Sequence, residues 1–436
     1  MKEASAIQPI DYADQNTVYN SRVLEKYRFQ IPFLLIFVAL VQVVFSFVRF
    51  DTPELALHTY NSMALTAIAN FGGMLAFRKV RSYPGTRRTA FVLPSFVLGW
   101  IITLFAIVGF RIEYSISQLL IGGAFGLLLA LVINVVNRRV DERPLLLIPS
   151  PKVEALISEA PALKFKTCSH PSDIEIEFQH SAIVADLHID LPSDWEEAIA
   201  KAALRGTPVY HIKQLSESLT GKVQVEHLSE NSLGMLAPDP SYAFIKDVFD
   251  RAFAVCLLLS TWPILLFACC LIRLDSPGPA IFRQARIGFK GEPFTIYKLR
   301  TMRHRPTSTR VEDDITKDGD PRITRFGGLL RASRIDEIPQ LINVLKGEMS
   351  LIGPRPETVH LSKWYGNVLD FYPYRHIVRP GITGWAQVQQ GHVTSSGETL
   401  AKLQYDFYYI KNFSLWIDFV ISIKTVKVIL LRLGSR

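Results

Sequence analysis

Between Leu330 and Glu357 the chain reads LRASRIDEIPQLINVLKGEMSLIGPRPE, which places Arg331, Arg334, Asp336 and Glu337 within seven residues. Neighbouring carboxylates on an α-helix project about 100° apart, so the pair can divide its labour, one as nucleophile or base and the other as metal ligand. Arginines beside them suit a phosphorylated substrate. Further on, Gly353-Pro354-Arg355-Pro356 puts an arginine in a stiff turn, because each proline locks its own φ and restricts the residue before it. A guanidinium fork held in place is what bidentate phosphate recognition needs. Any one of these residues also fits a solvated helix end or a Pro-rich turn. The case for chemistry rests on their combination.

The rest of the chain has to put that stretch next to its substrate. Its 436 residues allow two or three domains, and 49% hydrophobic residues with 27 Phe and 20% charged residues suit a chain that is part membrane and part globular. The net charge of +8 does not imply nucleic acid, since no basic repeat interleaved with aromatics and no zinc-finger or RNP-like pattern is present. Lipid headgroups and phosphorylated substrates are the expected anionic partners. Of the four cysteines, Cys256, Cys269 and Cys270 lie in an apolar run and Cys168 is alone, which suggests a reducing compartment rather than a disulfide framework. The first apolar run lacks a small-residue cleavage site and reads as an anchor.

After a polar tail over 1–28, expected to be cytosolic, four apolar runs follow, roughly Phe29 to Phe50, Tyr60 to Phe77, Ala90 to Phe110 and Ile116 to Val136. About 20 apolar residues cross a hydrocarbon core. The second run is the weakest, with Asn61, Asn70, Gly72 and Gly73 inside it, although small residues also permit close helix contact. Arg78, Lys79, Arg81, Arg87 and Arg88 lie between the second and third runs, and Arg138, Arg139 and Arg143 follow the fourth. The positive-inside rule therefore puts both ends of this block in the cytosol. Asn134 and Asn137 near the inner end read as capping or interhelical residues.

From Pro144 to about Leu236 strand-like runs alternate with helical ones: Leu145 to Ile148, Val153 to Glu159, Ser181 to Ala185, Ser193 to Leu204 and Gly206 to Tyr210. That pattern predicts a small parallel sheet with helices on its faces. The turn after the first strand is Pro149-Ser150-Pro151-Lys152, with no G-x-G-x-x-G to admit a pyrophosphate, which argues against dinucleotide binding. Ala237-Pro238-Asp239-Pro240 is a linker, and Phe244 to Phe253 an amphipathic helix carrying Lys246, Asp247, Asp250 and Arg251. The apolar run at 254–272 is interrupted by Trp262-Pro263 and flanked on both sides by basic residues. By length it could span, but its flanks want the same membrane face. A re-entrant hairpin turning near Pro263 satisfies both.

A hairpin is expected from Ala280 to Leu299, leading into Lys298. Arg303 to Asp320 is polar and reads as a mobile lid, with Asp313 and Asp314 as a solvated charge run rather than metal ligands. Trp385 or Gln387 could hold a base or sugar, or Trp385 could close a small core. The helices at Leu403 to Ile410 and Leu415 to Leu433, with Tyr405, Tyr408, Tyr409, Trp416, Lys424 and Asp418, fit an interfacial plane.

Three separated segments in order, Tyr297-Lys298-Leu299-Arg300-Thr301-Met302, Arg331 to Glu357, and Arg379-Pro380-Gly381-Ile382-Thr383-Gly384-Trp385-Ala386-Gln387-Val388, resemble the catalytic domain of the bacterial sugar transferases, the monotopic polyprenyl-phosphate hexose-1-phosphate transferases. The resemblance covers roughly Asp239 to the C-terminus, and the preceding segments fit the long form of that family. It implies a membrane α-helical bundle at 29–143, an α/β Rossmann-like accessory module at 144–236 serving self-association or regulation, and a mainly α (α+β) monotopic catalytic domain at 237–436 with a re-entrant membrane helix at 254–272. Serine often precedes the helix-breaking proline in the family. Here Trp262 does, with Ser260 and Thr261 just upstream, which leaves open what satisfies the freed carbonyls.

The residues alone suggest transfer of a phosphorylated group to or from a lipid. The resemblance implies more: Asp336 attacks the β-phosphate of a UDP-hexose such as UDP-glucose or UDP-galactose, UMP leaves, and undecaprenyl (polyprenyl) phosphate takes the sugar phosphate. This would be the first membrane step of exopolysaccharide, capsule or O-antigen assembly. Glu337 would ligate Mg²⁺, Lys298 and Arg355 would contact nucleotide or phosphate, and Arg331 would hold the lipid phosphate, with Arg334 and Glu357 as further candidates. The expected setting is the bacterial inner membrane, multi-pass, with a cytosolic catalytic domain and a homo-oligomeric state. A membrane scaffold or sensor with a degenerate nucleotide-binding module, and a glycosidase with two carboxylates about 5 to 9 Å apart, are the rival readings.

Overall fold

The computed structural model describes residues 27–49, 57–80, 88–140, 145–159, 164–177, 182–223, 238–303, 320–390 and 396–431, and the chain divides into two compact units, 1–212 and 213–436. The expected tail over most of 1–28 and most of the expected lid, including Asp313 and Asp314, lie outside the described residues.

The first unit begins with four long helices, α1 (Tyr27–Arg49), α2 (Leu57–Val80), α3 (Arg88–Phe110) and α4 (Ile116–Val140). Within them Phe29–Val48, Phe91–Phe110 and Ile116–Val136 are long and apolar enough to cross a membrane; α2 falls short of that composition. Its polar residues have inward partners. Ser62, Thr66 and Asn70 are buried; Gln42 on α1 donates to Thr66 Oγ1 at 3.2 Å and to the Gln118 carbonyl at 3.0 Å, and Asn70 donates to the Gly122 carbonyl at 3.3 Å. Large apolar side chains such as Ile36, Leu40, Phe47, Phe105 and Val108 face outward. A polar interior inside an apolar exterior suits lipid as the surrounding solvent.

The rest of that unit is a four-stranded, all-parallel sheet, β1 (Leu145–Leu147), β2 (Phe165–Thr167), β3 (Ala182–Ala185) and β4 (Val209–His211), in the order β2-β1-β3-β4. Helices α5 (Val153–Glu159), α6 (Pro171–Glu177) and α7 (Ser193–Leu204) connect the strands. Ile183, Ala185, Ile174, Ala198 and Ala202 form the core between sheet and helices. The parallel sheet follows the sequence expectation. β2 and α6 do not, because the run Phe165-Lys166-Thr167 is a largely exposed edge with no apolar alternation.

In the second unit, α8 (Ile212–Thr220) packs on the C-terminal helices: Lys411 Nζ lies 2.6 Å from Glu217 Oε2, and just past α8 the Gly221 carbonyl accepts from Trp385 Nε1 at 2.9 Å. The division between units thus falls earlier than the linker at 237–240. That linker is the start of a helix, with Asp239 capping the Ser241 amide at 2.8 Å and Pro240 in the first turn.

The helix it starts, α9 (Pro240–Asp275), is 36 residues long and continues through Pro263. The turn expected near Pro263 is therefore helical, and the amphipathic and apolar segments are one element. Ser260 Oγ and Thr261 Oγ1 both donate to the Leu257 carbonyl, at 3.0 and 2.6 Å, the back-bonding that accompanies a bend. One face stays on the body along the whole helix: Lys246, Asp250, Ala254, Ala268 and Ile272 are buried, with Leu258 and Leu265 packed on the same cores. Lys246 Nζ sits 2.7 Å from Asp418 and 3.3 Å from Asp250. The opposite face exposes Phe244, Val248, Phe249, Phe253, Leu259, Trp262, Leu266 and Phe267. Lys246 and Asp250 point in while large apolar side chains point out, the reverse of a water-facing helix, so this face wants lipid.

Two pairs of strands complete the unit. β5 (Ile281–Ile287) and β6 (Pro293–Leu299) are antiparallel with Phe282 opposite Lys298, as the sequence predicts. β7 (Ser350–Ile352) and β8 (Gly381–Thr383) are parallel. Helices α10 (Arg325–Ala332), α11 (Leu341–Leu345), α12 (Val359–Val368), α13 (Trp385–Gln390), α14 (Ser396–Lys411) and α15 (Leu415–Leu430) surround them. The last two contribute one face to the core, while Leu415, Val426 and Ile429 on α15 stay exposed. Tyr408, Tyr409, Ile417, Val420 and Ile421 are buried, and Asp418 accepts from Tyr242 at 2.7 Å and from Tyr409 at 3.0 Å. Composition alone does not separate an aromatic core helix from one lying at a membrane surface.

Candidate active site

α10 ends at Ala332, Arg334 takes a left-handed φ of 58°, and Ile335–Gln340 then forms a 3₁₀-helix with Asp336 and Glu337 in its first turn. Three residues per turn put adjacent side chains about 120° apart rather than the α-helical spacing expected. Both carboxylates are buried, yet their surroundings differ.

Glu337 is clamped by cations. Its Oε1 accepts from Arg355 at 2.6 Å and from Lys298 at 3.1 Å, and Arg334 approaches Oε2 at 3.5 Å. Burial opposes its ionisation, but Arg355, Lys298 and Arg334 outweigh burial and hold the carboxyl well below its usual range. Asp336 Oδ1, by contrast, has no hydrogen-bond partner among the described residues. Burial first, and then the negative charge of Glu337, push Asp336 up to about 6, against the pull of Lys298, Arg355 and Arg331. Burial likewise lowers Lys298 to about 8, against the pull of Glu337. Two neighbouring buried carboxylates are thus split: Glu337 is held ionised by its cation partners, and Asp336 is the carboxyl whose charge its surroundings disfavour.

Arg355 reaches the site because two distant motifs interlock. β7 leads into Gly353-Pro354-Arg355-Pro356 and β8 carries Gly381-Ile382-Thr383, with the Gly353 amide donating to the Thr383 carbonyl and the Gly381 amide to the Pro354 carbonyl, each at 2.9 Å. A Cβ on Gly381 would overlap the Gly353 backbone. Gly381→Ala is accordingly expected to cost about 1–3 kcal/mol and to lower the melting temperature, with transferase activity falling in parallel; an unchanged melt would show that the two segments do not approach this closely.

Beneath the Arg355 loop lies a group of charges that the sequence did not point to. Arg375 donates to the Arg355 carbonyl and to Asp406, each at 2.8 Å, and Arg286 donates to the Pro356 carbonyl at 2.7 Å. Glu357, a candidate from sequence, belongs here: it pairs with Lys402, lies 3.9 Å from Arg375 and, despite burial, is held at about 2 by these two cations. These groups fix the loop that carries Arg355. No local signal marks Arg375, Lys402 or Asp406, because their partners are distant in the chain.

Arg331, in the last turn of α10, lies in the field of Asp336, Asp320 and Glu337. Trp385 is fully buried, bonded to Gly221 and stacked on Tyr408, so of its two expected roles it takes the packed one. The donor set fits a Mg²⁺ ion, which is usually held by one or two carboxylates with water and substrate phosphates: among the described residues Asp336 Oδ1 is unpartnered and Glu337 Oε2 has only the long contact to Arg334.

The family model for bacterial sugar transferases matches residues 241–432. A UDP-N-acetylgalactosamine-undecaprenyl-phosphate N-acetylgalactosaminephosphotransferase of Aeromonas hydrophila is 41% identical over 365 residues, covering 84% of this chain and 85% of that protein. The chain belongs to the bacterial sugar transferase family. Other members match over about half of the chain or less. A UDP-glucose:undecaprenyl-phosphate glucose-1-phosphate transferase of Xanthomonas campestris pv. campestris is 39% identical over 217 residues, 49% of this chain and 44% of that protein. One from Escherichia coli K12 is 39% identical over 184 residues, 42% and 39% of the two chains. As a sugar transferase with apolar N-terminal helices, the chain is a membrane protein.

Proposed function

We propose that this sugar transferase moves a sugar 1-phosphate from a UDP-sugar to undecaprenyl phosphate through a phospho-sugar on Asp336. The observation that carries the reading is the unpartnered, buried Oδ1 of Asp336 beside a Glu337 already neutralised by Lys298, Arg355 and Arg334. In the first step an Asp336 oxygen attacks the β-phosphorus, a P–O bond forms, and the bond from β-phosphorus to the bridging oxygen breaks. UMP leaves with that oxygen. In the second, a phosphate oxygen of the polyprenyl carrier attacks the same phosphorus, and the Asp336 carboxylate departs with the electron pair of its P–O bond. The products are polyprenyl-diphosphate-sugar and the original enzyme.

Cations already at the site offset the anionic substrate. Lys298 and Arg355 are placed to exchange contacts with Glu337 for contacts with nucleotide phosphates, and Arg331 to meet the carrier's phosphate. Glu337 would hold a Mg²⁺ ion, whose chemistry is to offset charge on the transferring phosphoryl group. The outward apolar face of α9 brings the site to the lipid surface where the carrier resides. Both ends of α9 rest on the same catalytic body, which supports a monotopic, re-entrant path rather than a full crossing. Basic residues at Arg78, Lys79, Arg81, Arg87 and Arg88 support a cytosolic site on the inner membrane.

A UMP-release assay with undecaprenyl phosphate and a panel of UDP-sugars tests the reading. The panel begins with UDP-N-acetylgalactosamine, the donor in the name of the relative matched along most of the chain, and includes UDP-glucose and UDP-galactose. Lipid-linked product with stoichiometric UMP is expected; free sugar would indicate a glycosidase, and no UMP from any donor a scaffold. The pH profile follows from the same groups. Asp336 must be ionised to attack, so kcat/KM falls as pH drops through about 6, and Lys298 must be charged to hold phosphate, so it falls again above about 8. A profile flat from pH 5 to about 9 would contradict both assignments.

A further inference from the structure

The parallel sheet of the first unit carries a second cluster of reactive side chains. Asp186 follows the last residue of β3, and His211 ends β4, where it is paired in register with Ala185. His188 lies in the turn after Asp186. All three therefore stand at the carboxyl edge of adjacent parallel strands, the edge at which open α/β sheets receive their ligands.

Three lone-pair donors converge there. His188 Nδ1 and His211 Nε2 meet head-on, closer than ordinary hydrogen-bonding atoms. Asp186 Oδ1 lies 3.9 Å from the first and 3.6 Å from the second. The Asp186 side chain is almost fully buried, and its other oxygen, Oδ2, faces Lys152 at 4.0 Å. The His188 backbone amide donates to Oδ1 at 3.2 Å and so holds the turn against the carboxylate. A cation at their centre would serve all three.

We propose that Asp186, His188 and His211 form a binding site for one divalent transition-metal ion of the zinc class. The chemistry of the donors selects the ion. Two imidazoles with one carboxylate suit zinc and its neighbours, whereas Mg²⁺ and Ca²⁺ favour all-oxygen sets. Ligand atoms about 2.0–2.2 Å from a tetrahedral ion lie about 3.3 Å from one another, a little less than Asp186 Oδ1 lies from the two rings and more than the two ring nitrogens lie from each other, so an ion enters as the rings part slightly. Three protein ligands leave a position for water or a small ligand, and His188, with 67% of its side chain exposed, leaves that side open. Lys152 at Oδ2 keeps the carboxylate presented through Oδ1 alone.

The test uses full-length, detergent-solubilised protein with any affinity tag removed, in excess Mg²⁺ so that a hard-cation site at Asp336 and Glu337 stays saturated. Zn²⁺ is added, unbound ion is removed by gel filtration, and retained zinc is counted per chain. Co²⁺ serves as the spectroscopic probe. About one Zn²⁺ per chain and a visible Co²⁺ absorption from nitrogen and oxygen ligands are expected. His188→Ala and His211→Ala should each weaken binding at least about tenfold, while Glu337→Gln retains it. His188 is exposed, so its variant folds even if that of His211 does not, and its transferase rate should match wild type. Equal retention in His188→Ala and wild type, or no retained zinc in wild type, would overturn the proposal; the first outcome would place any zinc on cysteines or another site.

Discussion

Asp336→Asn is expected to abolish sugar-phosphate transfer, with a loss on the order of 10³-fold or more, while the protein itself becomes more stable. The two effects share one cause. Burial and the neighbouring Glu337 raise the folded-state value of Asp336 to about 6 from 3.8, so its ionised form is disfavoured by folding. The sign follows: the carboxyl favours the fold when protonated, and that contribution is lost as pH rises from about 4 through about 6. At neutral pH the charge costs stability on the order of 1–3 kcal/mol, and an amide of the same size removes that cost. Thermal melts at pH 7 should shift upward, by less at pH 4, while UMP release disappears. Retained activity would remove Asp336 from the chemistry, and a downward shift at pH 7 would contradict the electrostatic account.

The adjacent substitution should act in the opposite direction. Glu337→Gln takes a single negative charge away from three cations, leaving the half-buried Lys298 and Arg355 without their partner. Breaking a buried pair on one side costs about 3–5 kcal/mol, and part of that loss is expected even though the amide oxygen can still accept a hydrogen bond. The melting temperature should fall, and the Mg²⁺ concentration for half-maximal activity should rise. Two isosteric carboxylate-to-amide changes at consecutive positions thus stabilise in one case and destabilise in the other. A Glu337→Gln protein that melts with wild type and needs no more Mg²⁺ would remove both the clamp and the metal-ligand role.

The acidic pair, the two basic segments around it and the apolar runs were legible because each is a local concentration of unusual residues. Lys298 was legible only through the resemblance of its segment to the sugar transferases, since a lone lysine at the end of a hairpin also fits a plain surface charge. The 3₁₀ geometry at Ile335–Gln340 was not, since it depends on the left-handed Arg334 and on Pro339 inside the turn, and neither announces a helix type. Arg375, Lys402 and Asp406 were invisible for another reason: each becomes meaningful only when β7 and β8 fold the Arg355 loop over them. The run at 254–272 has enough apolar length to hide its asymmetry. Only packing shows that Ala254, Ala268 and Ile272 face the body while Phe253, Trp262 and Phe267 face away. The site in the parallel sheet escaped for a similar reason, with His188 and His211 ordinary singly and brought together by strand register.

Covalent capture tests the central claim most directly. Purified enzyme is mixed with Mg²⁺ and a UDP-sugar labelled in its β-phosphate, without polyprenyl carrier, quenched in acid and digested. The account predicts a burst of UMP equal to the enzyme present and label on the peptide containing Asp336, chased off by undecaprenyl phosphate and absent in Asp336→Asn. Turnover that never marks that peptide, or an undiminished burst in Asp336→Asn, would contradict it.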